Sequence, residues 1–165
     1  MTVYHGSTLE IQKPDVIHSK TYLDFGKGFY VTAFLGQAER WALRKSMRLK
    51  KGTPIVNVYD LADDLQGYHV RTFRDPQDDE EWIDFVCDCR DGKTEYRRYD
   101  IIIGSVADDD VFKSVDMYHR GIWDKQRTLQ ELKYYKKNNQ IALISQAAVD
   151  HLLMFKDSYE VERKP

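Results

Sequence analysis

Phe25-Gly26-Lys27-Gly28-Phe29-Tyr30-Val31-Thr32 is the stretch on which the reading of this chain turns. Two glycines bracket a lysine, and an aromatic, β-branched run follows. The pattern predicts a tight loop feeding a core strand over Gly28–Thr32. G-x-G is a weak phosphate-loop signal, and the chain has no G-x-x-x-x-G-K-[ST] pattern. Upstream stands Tyr4-His5-Gly6-Ser7, at the end of a predicted strand over Thr2–His5. A histidine where a strand meets a loop offers a ring nitrogen to a ligand, and the glycine after it leaves bare backbone for a close approach. Between the two segments, residues 7–27 hold Pro14 and several polar residues and read mostly as loop.

Downstream, Leu35 to about Lys50 reads as a helix with Ala38, Trp41 and Ala42 on one face, broken by Gly52-Thr53-Pro54. Ile55–Leu61 is a predicted strand with Val56 and Val58 on one face and Asn57 and Tyr59 on the other. Asp75-Pro76 and the acidic run Asp78–Glu81 suit a helix start, followed by a stripe of Trp82, Phe85, Val86 and Cys89. Tyr99–Ile103 is predicted as a buried strand. Asp108–His119 is predicted as a helix with Phe112 and Val115 inward, and Thr128–Tyr135 as another with Leu129 and Leu132 inward. A strand over Gln140–Ile144 precedes a helix capped by Ser145 and carrying Ala148, Val149, Leu152 and Leu153; Phe155, Tyr159 and Val161 alternate as a last strand. Strands and helices alternate irregularly, so the expected class is α+β, not a regularly wound parallel sheet.

The chain has 165 residues, no internal repeat and no linker-like tract, so one domain over residues 1–165 is expected. It is 42% hydrophobic, enough for a sizeable core, and its formal charge of −2 argues against a DNA reader that works by overall attraction. The N-terminus lacks a signal-peptide layout, and no apolar run approaches the ~20 residues of a membrane helix; the expectation is a cytoplasmic protein with no membrane partner. Cys87 and Cys89, one residue apart, read as unlinked thiols, and no metal-ligand spacing is present. The basic run Arg44–Lys51 reads as a solvated helix end. Asp108-Asp109-Asp110 reads as a helix cap. Lys133–Lys137 with Tyr134 and Tyr135 reads as helix-end packing, and is also the best guess for an acceptor-facing loop.

Taken together, Val3–Ser7 and Phe25–Tyr30 resemble the catalytic domain of the poly(ADP-ribose) polymerases, in the diphtheria-toxin-like branch of ADP-ribosyltransferases. That family has an apolar-aromatic-His-Gly-Ser strand end and an F-G-K-G-aromatic-Tyr segment. An aromatic follows about ten residues later, where Trp41 stands eleven after Tyr30. Its third element, Asn-Glu-apolar-Ile-Val before a helix, is similar to Asn139-Gln140-Ile141-Ala142-Leu143-Ile144 with Ala147-Ala148-Val149 after it. The middle, residues 53–135, matches only in element type. The whole chain also resembles a family of small bacterial proteins labelled as a domain of unknown function, some of which are thought to act as toxins paired with small antitoxins.

The resemblance implies a fold of two packed small β-sheets, a split β-sandwich, with flanking helices. It implies NAD⁺ as co-substrate without a metal, and transfer of single ADP-ribose units to a protein or nucleic-acid acceptor. His5 then bonds the nicotinamide-ribose 2′-hydroxyl, and the Gly6 main chain clamps the carboxamide. Tyr30 and Trp41 sandwich the nicotinamide ring, beside Phe29. Ser7 helps hold the adenosine-side ribose, and Thr32 supports the strand. Gln140 stands where the family usually has glutamate. A carboxylate ~5 Å from a unit positive charge is worth about 3 kcal/mol at an effective dielectric of about 20, or roughly a hundredfold in rate. Three outcomes are open: single transfer to an acceptor that needs no base, a carboxylate supplied by Glu131 or Asp108–Asp110, or a module that binds NAD⁺ or ADP-ribose without turnover. An RNA 2′-phosphotransferase shares the fold family, but the additional His and Arg residues that group relies on have no place here.

Overall fold

The computed structural model describes residues 1–107, 109–134 and 138–162, without the side chains of residues 77, 109 and 110. In chain order the elements are β1 (Thr2–Ser7), β2 (Phe29–Val31), α1 (Leu35–Leu49), β3 (Ile55–Leu61), β4 (Val70–Thr72), α2 (Glu80–Arg90), β5 (Ile101–Gly104), α3 (Asp109–His119), α4 (Lys125–Leu132), β6 (Gln140–Leu143), α5 (Gln146–Leu152) and β7 (Leu153–Glu160). Single 3-10 turns lie at Pro76–Asp78 and Glu95–Arg98. The class is α+β. The strands form two small sheets, one of order β1-β3-β7 and one of order β2-β6-β5-β4. All pairings are antiparallel except β4 with β5.

Position in the sheet explains which strands were legible in sequence. All four residues of β6 are buried, since this strand has neighbours on both edges and is covered on both faces. The alternation expected for β3 is muted for the same reason: Val56, Asn57 and Tyr59 are all fully buried. Asn57 is tolerated there because the loop after β1 lies over it. Its side-chain carbonyl accepts from the Ile11 N–H at 2.7 Å, its amide donates to the Leu9 carbonyl at 3.0 Å, and the Tyr59 hydroxyl donates to the Ile11 carbonyl at 2.6 Å.

Several predicted boundaries move. The helix expected from Thr128 begins at Lys125, because Asp124 caps it by accepting from the Arg127 N–H at 2.8 Å. Pro76 opens a 3-10 turn, and α2 starts after Asp79, whose side chain accepts from the Glu81 N–H. The strand expected from Tyr99 starts at Ile101, after the turn over Glu95–Arg98. Leu153, expected on the last helix, is the first residue of β7. Ser145 caps α5 as expected. β4 was not foreseen: a three-residue, largely exposed parallel edge strand leaves no apolar alternation to read. Phe112, expected inward, is 50% exposed, with the Arg90 guanidinium 4.8 Å over its ring.

Three clusters fill the interior. One packs Phe25, Trp82, Ile83, Val86, Ile102 and Ala142 between the second sheet and helices α2–α4. A second joins both sheets through Val3, Tyr59, Phe29, Ile141 and Leu143, with Leu152 of α5. A third sets Ala38 and Ala42 of α1 against Val56 and Val161. Trp82 is fully buried, and its indole N–H donates to the Ser105 carbonyl at 3.0 Å, which fixes the loop after β5. Cys87 and Cys89 are free and buried, and burial pushes their thiols up to about 11 and about 12.

Candidate functional site

β1 pairs with β3 along its whole length but meets β2 at a single bridge, Tyr4 opposite Thr32. There the Tyr4 N–H donates to the Thr32 carbonyl at 2.8 Å, and the Thr32 N–H to the Tyr4 carbonyl at 2.9 Å. Main-chain groups alternate sides along a strand, so those of Gly6, like those of Tyr4, face β2. Continued by one step, the ladder would give the Tyr30 carbonyl to the Gly6 N–H. The His5 Nδ1 takes that carbonyl instead, at 2.6 Å. The strands therefore part at His5, and the main chain of Gly6, itself buried, is left without a partner on β2.

That hydrogen bond settles the state of the imidazole. A carbonyl can only accept, so Nδ1 carries the proton and Nε2 of the neutral ring presents a lone pair. Burial pushes the His5 pKa down to about 4, against the Tyr30 hydrogen bond, and the nearby Lys45 ammonium lowers it further. The ring stacks on Phe29, with centroids 4.5 Å apart. Phe29 itself is buried in the core joining the two sheets and supports His5 from below.

Gly6 also marks a close crossing. A β-carbon there would lie 2.2 Å from the Ala38 carbonyl oxygen, 2.7 Å from the Ala42 nitrogen and 2.9 Å from the Trp41 β-carbon. Only glycine lets α1 settle on β1 at this point, and the crossing brings Trp41 beside the gap. Trp41 lines a narrow cleft with Gln37, Arg40, Arg44, Val106 and Asn138. The mouth is braced where Gln37 donates to the Asn139 carbonyl at 2.6 Å, joining α1 to the residue before β6.

Tyr30 is held at both ends. Its main chain serves His5, and its hydroxyl donates to the Gly26 carbonyl at 2.6 Å while accepting from the Phe25 N–H at 3.0 Å. Burial, then the Asp24 charge, raises its pKa well above the ordinary phenol value. Gly26 has a φ of +80° and sits on the Tyr96 ring, where a β-carbon would come within 2.5 Å. Packing accounts for this loop glycine.

Register brings the third anchor in. Val31 stands opposite Ile141, so the next step places Thr32 beside Gln140, and Gln140 is paired with Gly104. Tyr4, Thr32, Gln140 and Gly104 thus make one row across four strands. Gln140 and Thr32 are both buried. The Gln140 amide donates to the Ser105 carbonyl at 3.2 Å and to Asp24 Oδ2 at 3.4 Å, leaving its carbonyl oxygen as the acceptor.

Asp24 escaped the sequence reading. It accepts two hydrogen bonds from Arg90, at 3.0 and 2.6 Å on Oδ1, and one from the Ala107 N–H at 2.8 Å on Oδ2. Its side chain is 11% exposed and that of Arg90 18%. A nearly buried, bidentate pair of this kind fixes geometry more than it adds stability. Its adjacency to Phe25 was the available signal, but no periodicity singles out one aspartate in a polar loop. Of the carboxylates expected near Gln140, Glu131 lies on α4, which packs against α3 and the 3-10 turn at Pro76–Asp78. Asp108 and the side chains of Asp109 and Asp110 lie outside what is described, as do residues 135–137; Tyr134 is 86% exposed.

The basic run on α1 is not uniformly solvated. Ser46 is buried, and Lys45 is half-buried with its ammonium 3.5 Å from the Ser7 hydroxyl. Ser7 is 2% exposed. Four-residue spacing from Trp41 places Lys45 on the same helix face, a signal the sequence did contain.

A hollow of about 600 Å³ lies elsewhere, against Gly52, Thr53, Pro54 and Glu160–Glu162. It is lined by two glutamates and no aromatic ring, whereas the break between β1 and β2 at His5 brings an imidazole, a bare glycine and Trp41 together. Among the described residues no group of three or more His, Cys, Asp or Glu side chains is placed to hold a metal, and no helix is long and apolar enough to cross a membrane. No curated protein and no solved structure matches the chain. A family model described as Protein of unknown function (DUF3990) matches residues 1–155, and the chain belongs to that family.

Proposed function

We propose that this chain is an NAD⁺-dependent mono-ADP-ribosyltransferase, built on an ADP-ribosyltransferase-like split β-sandwich. The observation that carries the reading is the parting of β1 and β2 at His5. It leaves a neutral imidazole with a free Nε2 lone pair next to Gly6, a buried glycine whose N–H and C=O take no partner from β2. A ribose hydroxyl can donate to the first, and a carboxamide can pair with the second in both directions. Trp41 lies beside Gly6 on α1 and Tyr30 stands across from it on β2, and in this reading their rings hold the flat cationic ring between them.

In the reaction, the bond between ribose C1′ and the nicotinamide nitrogen breaks, and nicotinamide leaves with the electron pair. A nucleophile of the acceptor then bonds to C1′ and gives its proton to solvent. The demand on the protein is to orient NAD⁺ and stabilise an oxocarbenium-like cation. Gln140 supplies a carbonyl dipole where a carboxylate would supply a charge, which suits single transfers over chain elongation. The acceptor belongs to the protein or nucleic-acid class, and a cytoplasmic toxin held by a small antitoxin fits such an activity.

The chief rival is a module that binds NAD⁺ or ADP-ribose without turnover, favoured by the buried amide of Gln140 in place of an acid. Incubation with adenylate-labelled NAD⁺ tests both. The expected result is release of nicotinamide and label on protein, DNA or RNA, abolished in His5→Ala and Tyr30→Ala. Binding without release, in the wild type and in Gln140→Glu, would establish the rival. In that variant a second carboxylate replaces an amide now 3.4 Å from Asp24, so Gln140→Glu takes up a proton and gains full effect only at higher pH.

A further inference from the structure

Lys45 has a placement that folding alone does not explain. It is half-buried on α1, with its Nζ 3.5 Å from the Ser7 Oγ. Among the described residues no carboxylate pairs with it or with Lys20. Its nearest charges are of its own sign: Lys20 and Arg48 add to burial in lowering its pKa. Lys20 is kept close by its neighbour, for Ser19 Oγ accepts from the Gly28 N–H at 3.1 Å and donates to the Lys20 carbonyl at 3.1 Å. Helix α1 thus sets the Lys45 ammonium at the end of β1, and the loop after β1 carries the exposed Lys20 within electrostatic reach of it. Lys20 and Arg48 are exposed, so the cost falls on the half-buried Lys45, whose charge is disfavoured by burial and by its like neighbours unless an anion completes it.

The position says which anion. Along α1, Trp41 adjoins Gly6 and Lys45 adjoins Ser7, four residues or about 6 Å further on. A ligand with its planar ring at Trp41 and its first ribose at His5 reaches Lys45 with its next group. We infer that Lys45, assisted by Lys20, binds the diphosphate of the dinucleotide, making the end of β1 a second station of the same site. This rests on the proposed NAD⁺ site. Lys45 positions the substrate and takes no part in bond breaking.

Calorimetry with NAD⁺, ADP-ribose, nicotinamide and a short oligonucleotide as separate probes tests it on wild type, Lys45→Ala and Lys45→Arg. Lys45→Ala is expected to weaken NAD⁺ and ADP-ribose about tenfold or more, the worth of one charge-assisted contact, and to leave nicotinamide unchanged. Lys45→Arg keeps most of the affinity. Wild-type affinity falls more steeply with salt than that of Lys45→Ala. Because removing Lys45 relieves repulsion, the alanine variant unfolds in urea no earlier than wild type, so lost affinity is not lost folding. Wild type that binds NAD⁺ with Lys45→Ala binding equally well overturns the role of Lys45 alone. So does weakening confined to a short oligonucleotide, which would assign the cations to an acceptor. Wild type that binds neither NAD⁺ nor nicotinamide overturns the NAD⁺ reading itself.

Discussion

Toward β3, β1 pairs at six successive residues, from Thr2 opposite Asp60 to Ser7 opposite Ile55; toward β2 it makes one bridge and then diverges. The two edges belong to the same six residues and have opposite jobs. The continuous ladder makes β1 rigid, because β3 is itself pinned by β7 and roofed by the Leu9–Ile11 loop. The interrupted edge spends that rigidity on main-chain groups that stay unpaired. An unpaired N–H and C=O can be held out to a ligand only on a strand that is fixed from its other side. His5 is the wedge between the two regimes, since its ring satisfies the Tyr30 carbonyl that the ladder gave up.

Three experiments would break or sharpen this contrast. Gly6→Ala has the largest expected effect. The added methyl meets main-chain atoms of α1 at 2.2 and 2.7 Å, which cannot swing aside as a side chain could. A loss of about 3 kcal/mol in urea unfolding is expected, at the upper end of overpacking costs. An unchanged midpoint would mean that α1 does not rest on β1 as described.

The next largest effect is an acid one. The unfolded chain protonates its histidine near 6.5, whereas folded His5 stays neutral until about 4. As pH falls through that window the unfolded state gains a proton that the native state refuses, so stability falls with pH. Between pH 6.5 and 5 the expected loss is about 2 kcal/mol, and His5→Ala should flatten this limb of the urea-midpoint profile. Nicotinamide release, if the site works as proposed, should keep its His5 acceptor throughout the same window.

Tyr30→Phe is the mildest. It removes a hydroxyl that donates to Gly26 and accepts from Phe25, leaving two main-chain groups without it, at a cost of about 1–2 kcal/mol. The ring that would face nicotinamide remains. Turnover is expected within tenfold of wild type for Tyr30→Phe and absent for Tyr30→Ala. A collapse in Tyr30→Phe would move the role of this residue from its ring to its hydroxyl.

Much of the framework was legible. The strand at residues 2–5, the strand through Phe29, Tyr30 and Val31, the long helix carrying Trp41, and the Gln140 strand with its Ser145-capped helix all follow from apolar runs and caps. Less legible were elements that take their character from neighbours. β4 is too short and exposed to show a period, and Phe112 reads as core by spacing yet lies half in solvent under Arg90. At the site, the positions resembling a known motif could be picked out, and the spacing of Lys45 from Trp41 was there to read, but Asp24 and Arg90 were not marked. Asp24 and Arg90 stand 66 residues apart, and their pairing exists only once α2 packs beside the second sheet.

By itself the sequence determined which segments prefer strand or helix and where an imidazole, a bare glycine and two aromatic residues stand along the chain. These depend on local propensity and short-range spacing, which a linear string records. Only the tertiary structure decided that β1 parts from β2 at His5, that Gly6 serves a helix crossing as well as standing unpaired toward β2, and that Asp24 meets Arg90. Such features arise from register, close approach and shared burial between segments tens of residues apart, and nothing in the neighbouring residues encodes them.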